Sequence, residues 1–189
     1  MADMQVTAFE QILLGLICLE PSSGYDLKQR FAASPLGVYQ PSSGALYPAL
    51  LRLARKGLVR ARSVDDRGGH QARPRHVYEP TELGAAEHMS WLRMPVRTDT
   101  VARDLGLHLM RFVMMEHKLP PDQVLGFLRD LADALSAFTA GLERHAAAAD
   151  PGSGHVRLAL DHGLAVYRAS LAWTERTIAA LAAAPPLTA

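Results

Sequence analysis

The sequence has little of several features that would indicate a class of protein directly. Its single cysteine, Cys18, cannot form a disulfide within the chain, so we expect a reduced, cytoplasmic setting. Aromatic residues make up only 6% of 189 residues, and a net charge of +1 neither indicates nor excludes nucleic-acid binding. The apolar run at residues 12–19 lies between Glu10 and Glu20 and is too short to span a bilayer. We therefore expect no targeting segment and no membrane span.

Motifs that indicate catalysis are also missing. The sequence contains no glycine-rich phosphate loop, no HExxH and no CxxC, and nothing in it activates Cys18 as a nucleophile. The histidines are scattered, and His155 with His162, seven residues apart, is a weak metal signal. We expect no enzyme, no bound metal and no cofactor.

The residues that are present form helical patterns in the first third of the chain. Apolar residues recur at helical spacing over residues 6–19. Ser23 and Asp26 resemble a capping box for a second helix over about residues 24–33. A third helix follows, and Gly57 is placed to end it.

Two short alternating segments come next, at residues 58–63 and 75–80. The polar, glycine-containing stretch 65–74 separates them, which predicts a two-stranded ribbon with a flexible tip. A further helix is predicted over residues 81–92. The order helix, helix, helix, strand, strand, helix is the layout of a winged helix.

The second half of the chain predicts three long helices, at residues 98–118, 121–149 and 153–183. The last of them carries a seam at alternating steps of four and three, formed by Leu160, Leu164, Tyr167, Leu171, Thr174, Ile178 and Leu181. This seam packs either within the chain or against a second subunit, and the length of the segment favours the second subunit. The predicted fold is mainly α with a small two-stranded wing. A winged helix-turn-helix domain at residues 1–95 precedes an all-helical dimerisation domain at residues 96–189.

Basic residues are concentrated between Arg52 and His76, which we call the basic segment. Its eight cations are Arg52, Arg55, Lys56, Arg60, Arg62, Arg67, Arg73 and Arg75. With Asp65 and Asp66 as the two anions, the segment has a net charge of 8 − 2 = +6. Because these cations lie at the end of the third helix and on the wing, they predict contacts with the phosphates of double-stranded DNA. The rival hypothesis, a winged-helix protein-interaction module without sequence-specific DNA binding, would fit a neutral or acidic wing better.

The start of the third helix is also suited to a nucleic acid. The small residues Ser42, Ser43 and Gly44 allow close approach of a groove or phosphate. The hydroxyls of Ser42, Ser43 and Tyr47 can donate to phosphate oxygens. Pro48, within the first turns, leaves the exact start of the helix open. Few side chains here are suited to reading bases, so specificity would rest on few contacts and on DNA shape.

Several motifs together resemble the PadR family of phenolic-acid-responsive repressors. They are Leu14-Gly15-Leu16, Gly24-Tyr25-Asp26-Leu27, the block Ser43-Gly44-Ala45-Leu46-Tyr47-Pro48-Ala49-Leu50, the stretch Arg73-Pro74-Arg75-His76-Val77-Tyr78, and Thr81-Glu82-Leu83-Gly84. The match covers about residues 10–90, and the stretches 112–120 and 164–173 resemble the family's longer C-terminal domain. One departure is Ala72, where the family usually has a glycine directly before its Arg-Pro-Arg.

The resemblance implies a homodimeric transcriptional regulator, a repressor by analogy, that a small aromatic or hydrophobic effector can release from a palindromic operator. By position, Ser43, Gly44 and Tyr47 would lie at the DNA surface, and Arg73 and Arg75 would hold the wing on phosphates. Tyr25 is expected to pack between helices. The full set of predicted DNA-binding residues is Ser42, Ser43, Gly44, Tyr47, Arg52, Arg67, Arg73 and Arg75.

Adaptable apolar side chains suggest a ligand site, independently of the resemblance. The predicted effector pocket is lined by Trp91, Met110, Met114 and Trp173, because Met and Trp accept flat ligands well. The alternative for these residues is a core or a dimer interface. The sequence does not specify the operator, the regulated genes or the effector.

Overall fold

A computed structural model describes residues 5–33, 43–64, 75–148 and 154–183. The elements are α1 (Ala8–Leu19), β1 (Ser22–Ser23), α2 (Gly24–Ala33), α3 (Ser43–Arg55), β2 (Val59–Val64), β3 (Arg75–Pro80), α4 (Glu82–Leu92), α5 (Thr98–Arg103), α6 (Leu105–Met114), α7 (Pro121–Ala148) and α8 (Gly154–Ala183). They form two compact units, unit 1 (Met1–Leu92) and unit 2 (Arg93–Ala189).

Capping boxes begin the first two helices of unit 1. At α1, the Thr7 hydroxyl accepts from the Glu10 amide at 3.3 Å, and the Glu10 carboxylate accepts from the Thr7 amide at 3.1 Å. At α2, Ser23 and Asp26 make the same reciprocal pair at 3.0 and 3.3 Å, which confirms the predicted start. These bonds satisfy amide groups that have no partner within the helix.

The end of α3 is also as predicted. Gly57 has a φ of 70°, in the left-handed region that a residue without a Cβ adopts at little cost. Its amide donates to the carbonyl of Ala54 and the Leu58 amide donates to that of Leu53, both at 3.0 Å. This is the Schellman pattern, and Leu58 is buried beyond it.

The predicted fold class is confirmed, but the sheet of unit 1 has three strands and not two. β1 pairs with β3, which also pairs with β2, so the order is β1-β3-β2 and both pairings are antiparallel. The missed strand consists only of Ser22 and Ser23, opposite Tyr78 and Val77. Two residues are too few to show a period-2 pattern, so the sequence has no signal for this pairing.

Thr81 and Gly84 join the wing to α4. The Thr81 hydroxyl donates to the carbonyl of Gly57 at 2.6 Å, its amide donates to that of Leu58 at 3.1 Å, and the hydroxyl accepts from the Gly84 amide at 3.0 Å. A Cβ atom on Gly84 would lie 2.8 Å from the carbonyl carbon of Leu58 and closer still to its oxygen. Only glycine allows α4 to begin so close to this backbone.

The prediction of one continuous helix over residues 98–118 is wrong. Asp104 interrupts it with φ −155° and ψ 75°, and its carboxylate accepts from the Leu107 amide at 2.9 Å to cap α6. An aspartate can replace a helical hydrogen bond in this way, and the apolar spacing does not reveal the break. The segment after Met114 continues in turns, with His117 at a φ of 57°.

The two longest helices, α7 and α8, pack against each other in unit 2. Leu128, Leu131 and Leu135 of α7 are fully buried. The middle of the predicted seam packs within the chain, because Leu164 is buried and the Tyr167 ring lies 4.6 Å from that of Phe138 on α7. The seam's end at Leu181 is 41% exposed. Among the described residues, no helix combines the length and apolar character needed to cross a bilayer.

Candidate nucleic-acid interface

Helix α3 has one buried face and one exposed face. Leu46, Leu50 and Leu53 point into the core of unit 1. The exposed face includes Gly44 and Tyr47, as predicted for a helix that meets DNA, and Tyr47 is 49% exposed. Gly44 leaves room for a groove or a phosphate to approach, and the hydroxyl of Tyr47 can donate to a phosphate oxygen.

Tyr47 is held in place by the start of α2. A Cβ atom added to Gly24 would lie 2.6 Å from Cε1 of the Tyr47 ring, so the ring covers the backbone of this glycine. Tyr25, next along the chain, is 62% exposed, and its hydroxyl accepts from Gln29 at 2.9 Å. The expectation that Tyr25 packs between helices is wrong, because Tyr47 fills the space between α2 and α3.

The end of α3 is tied to α1 by a buried carboxylate. Glu10 has a side chain that is only 1% exposed, and its two oxygens meet Nε of Arg52 at 2.5 Å and Nζ of Lys56 at 2.8 Å. Burial alone would raise the pKa of Glu10, but the hydrogen bonds from Lys56 and Arg52 outweigh it and lower the pKa. Arg52, a predicted DNA-binding residue, therefore already has a protein partner.

The wing presents arginines on one face of its two long strands. Arg60 and Arg62 alternate along β2, with side chains that are 72% and 66% exposed. Glu79 lies directly opposite Arg60 in the register of β2 and β3. Its carboxylate accepts from Nε of Arg60 at 3.1 Å and from Nε of Arg62 at 3.0 Å.

Two carboxylates thus reduce the charge of the basic segment. Glu10 and Glu79 both lie outside the segment, so the net charge of +6 becomes 6 − 2 = +4 when they are included.

The sequence analysis missed the contacts of both carboxylates. Glu10 is 42 residues from Arg52, and only the packing of α1 on α3 brings the two together. Sequence reasoning counted Arg60 and Arg62 in the segment but did not single them out as site residues. Their alternation along a predicted strand was the available signal.

Several predicted DNA-binding residues cannot be placed. Ser42, Arg67 and Arg73 lie outside the described residues. Ser43 begins α3 and Arg75 begins β3, opposite Val64, but only their backbones are described. The DNA-binding roles of all eight predicted residues stay predictions.

The four predicted effector-pocket residues belong to two units. Trp91 is buried in unit 1, where its ring lies 5.8 Å from that of His88. Met110 and Met114 are buried on α6 in unit 2, and the half-buried Trp173 meets Phe112 edge-on at 5.7 Å. An open groove of about 610 Å³ in unit 2 is lined by other residues, among them Asp99, Asp130 and Asp133. The pocket stays a prediction.

Unit 2 also buries two basic side chains. His108 on α6 is 4% exposed, and its Nε2 lies 3.0 Å from the hydroxyl of Thr100 on α5. Burial and the charge of Arg111 lower the pKa of His108. Arg111 lies 4.8 Å from the centre of the Phe127 ring on α7, and burial lowers the pKa of Arg111 to about 10. Among the described residues, no group of three or more His, Cys, Asp or Glu side chains could hold a metal ion.

These features define the class of unit 1. Three helices and a basic antiparallel wing form a winged helix-turn-helix, the fold with which many transcriptional regulators contact DNA. Residues 13–89, which make up most of unit 1, match the Transcriptional regulator PadR-like family. Unit 1 therefore carries a PadR-like domain.

Solved structures to which this chain is similar include three from Bacillus. Bacillus subtilis PadR in complex with operator DNA is 20% identical over 93% of this chain and 99% of that chain, with a TM-score of 0.43. The PadR-like transcriptional regulator from Bacillus cereus is 23% identical over 94% and 97%, with a TM-score of 0.40. Bacillus subtilis PadR in complex with p-coumaric acid is 20% identical over 93% and 99%, with a TM-score of 0.42. None of the curated proteins matches the chain significantly.

Proposed function

We propose that this protein is a cytoplasmic, homodimeric repressor. It binds a palindromic operator through α3 and the wing of unit 1. The observation that carries the proposal is the presence of exposed arginines on the wing and of an exposed face on α3, within the segment that matches the PadR-like family. The α3 face offers small and aromatic residues to a groove, and the wing offers cations to phosphates.

The long helices of unit 2 support the homodimer. We assign dimerisation to residues 96–189, because α8 extends over 30 residues and keeps apolar side chains exposed, including Val156, Leu158 and Leu181. A two-fold dimer places two winged helices on two half-sites about one helical turn apart, which is why we expect a palindrome. Light scattering of the purified protein measures this directly, and a monomer at micromolar concentration contradicts the assignment.

The proposal includes a small aromatic or hydrophobic effector that weakens operator binding. It is supported by the Met and Trp side chains of the predicted pocket, which can repack around a flat ligand. Addition of small aromatic acids to the protein–operator complex tests for release. Release by one such compound, and not by an aliphatic acid of equal charge, is the expected result.

The central experiment is fluorescence anisotropy with DNA from upstream of the gene and a scrambled duplex, at two salt concentrations. Tight binding to the upstream duplex alone is expected. The double variant Arg73→Ala, Arg75→Ala should weaken binding to both duplexes and reduce the salt dependence by about two phosphate contacts. Equally weak binding of the wild-type protein to both duplexes would contradict the proposal and favour a protein-interaction module. Unchanged binding by the double variant would contradict the role of the wing.

A further inference from the structure

One carboxylate on the wing is shared by two exposed arginines. The Glu79 side chain is 18% exposed, whereas those of Arg60 and Arg62 are 72% and 66% exposed. One oxygen of Glu79 meets Nε and an outer nitrogen of Arg60, both at 3.1 Å, and the other oxygen meets Nε of Arg62 at 3.0 Å. An acidic residue at the centre of a basic face opposes phosphate binding, so its presence calls for a physical reason.

The geometry supplies that reason. A guanidinium has five N–H donors in a rigid plane. Glu79 engages Nε and one outer nitrogen of Arg60, and Nε of Arg62. Among the residues that the structure describes, none takes up the remaining donors of Arg60 and Arg62, whose side chains are mostly exposed. Because the carboxylate belongs to the paired strand β3, it restrains both side chains relative to the sheet. Two long, flexible arginines thereby become donors with defined positions and directions.

We propose that Glu79 is a specificity-determining positioning residue, an inference that rests on the proposed function. Restrained guanidiniums lose little side-chain entropy when they meet phosphates at the matching positions, but they adapt poorly to phosphates elsewhere. The charge of Glu79 also reduces the attraction to any duplex. Glu79 thus weakens binding to unrelated DNA more than binding to the operator.

The test is Glu79→Gln, compared with the matched control Glu82→Gln. Both variants remove one negative charge, and Glu82 lies exposed at the start of α4 without an ion pair to any residue that the structure describes. We expect Glu79→Gln to bind the scrambled duplex about two- to fivefold tighter, the strength of one exposed ion pair. The ratio of operator affinity to scrambled affinity should fall by a similar factor. With Glu82→Gln, both affinities should change together and the ratio should stay the same.

A second background shows whether Glu79 acts through the two arginines. In the double variant Arg60→Gln, Arg62→Gln, the further change Glu79→Gln should leave the affinity ratio unaltered, because no guanidinium remains to be positioned. A ratio that still falls in this background would overturn the proposal. An identical ratio for Glu79→Gln and Glu82→Gln, with a selective wild-type protein, would overturn it while leaving the proposed function intact. A wild-type protein that does not distinguish the duplexes would overturn both.

Discussion

The contact of Gly84 with the wing backbone leads to a sharp prediction about stability. Gly84 lies inside α4, where an alanine would ordinarily be favoured by about 1 kcal/mol. Here the added Cβ would lie 2.8 Å from the carbonyl carbon of Leu58 and nearer still to its oxygen. The obstacle is backbone and not the end of a flexible side chain, so either α4 or the start of β2 must move.

The expected cost follows from the interactions that this movement disturbs. Overpacking of this kind costs about 1–3 kcal/mol. The displaced carbonyl of Leu58 also accepts from the amide of Thr81 at 3.1 Å. Losing this bond adds about 1 kcal/mol. After the gain in helix propensity of about 1 kcal/mol, Gly84→Ala should destabilise unit 1 by about 1–3 kcal/mol.

Gly126→Ala is the matched control. Gly126 also lies inside a helix, α7, but a Cβ atom there would meet nothing within 4 Å. This change should therefore stabilise unit 2 by about 0.5–1 kcal/mol. The two substitutions are chemically identical and are expected to have opposite signs.

Urea unfolding followed by tryptophan fluorescence measures both effects, because each unit contains one tryptophan. Trp91 in a Trp173→Phe background reports on Gly84→Ala, and Trp173 in a Trp91→Phe background reports on Gly126→Ala. All samples need the same protein concentration, since dimerisation would make stability concentration-dependent. If Gly84→Ala stabilises unit 1 as Gly126→Ala stabilises unit 2, the close approach of α4 to Leu58 is wrong.

Two further predictions concern Tyr47 and His108. Gly24→Ala should weaken operator binding in the wild-type background, because the new Cβ collides with the Tyr47 ring. In a Tyr47→Ala background the ring is gone, so Gly24→Ala should have a much smaller effect. Additive effects of the two changes in anisotropy would refute this coupling. The lowered pKa of His108 means that the folded protein binds fewer protons than the unfolded chain below the ordinary value of 6.5. Urea midpoints should therefore fall as the pH decreases from about 7 to about 5, and less so in His108→Asn; equal slopes for both proteins would argue against this role.

Local sequence signals predicted much of unit 1. Ser23 with Asp26 marked the start of α2, and Gly57 marked the end of α3. Each signal is local because its hydrogen bonds join residues within about one helical turn of one another. Alternation on either side of a glycine-containing stretch predicted β2 and β3, because the two faces of a strand follow from residues two positions apart. The resemblance to the PadR family placed Gly44 and Tyr47 at the surface, where both are exposed.

Other features depended on contacts between distant segments. The pairing of Ser22 and Ser23 with β3 could not be read from two residues. Tyr47 was predicted at the surface. That its ring lies over the backbone of Gly24 was not predicted. In each case the partner lies on another element, and sequence periodicity carries no information about which elements pack together.

The charge of the basic segment likewise depends partly on the sequence alone and partly on the tertiary structure. Its composition and its place on α3 and the wing were determined by the sequence alone, because charge and alternation are properties of a continuous stretch. Which cations remain available to DNA was decided by the tertiary structure. Packing of α1 on α3 brings Glu10 to Arg52 and Lys56, and the register of β2 with β3 brings Glu79 to Arg60 and Arg62. Electrostatic interactions depend on distance in space, and only the fold sets that distance.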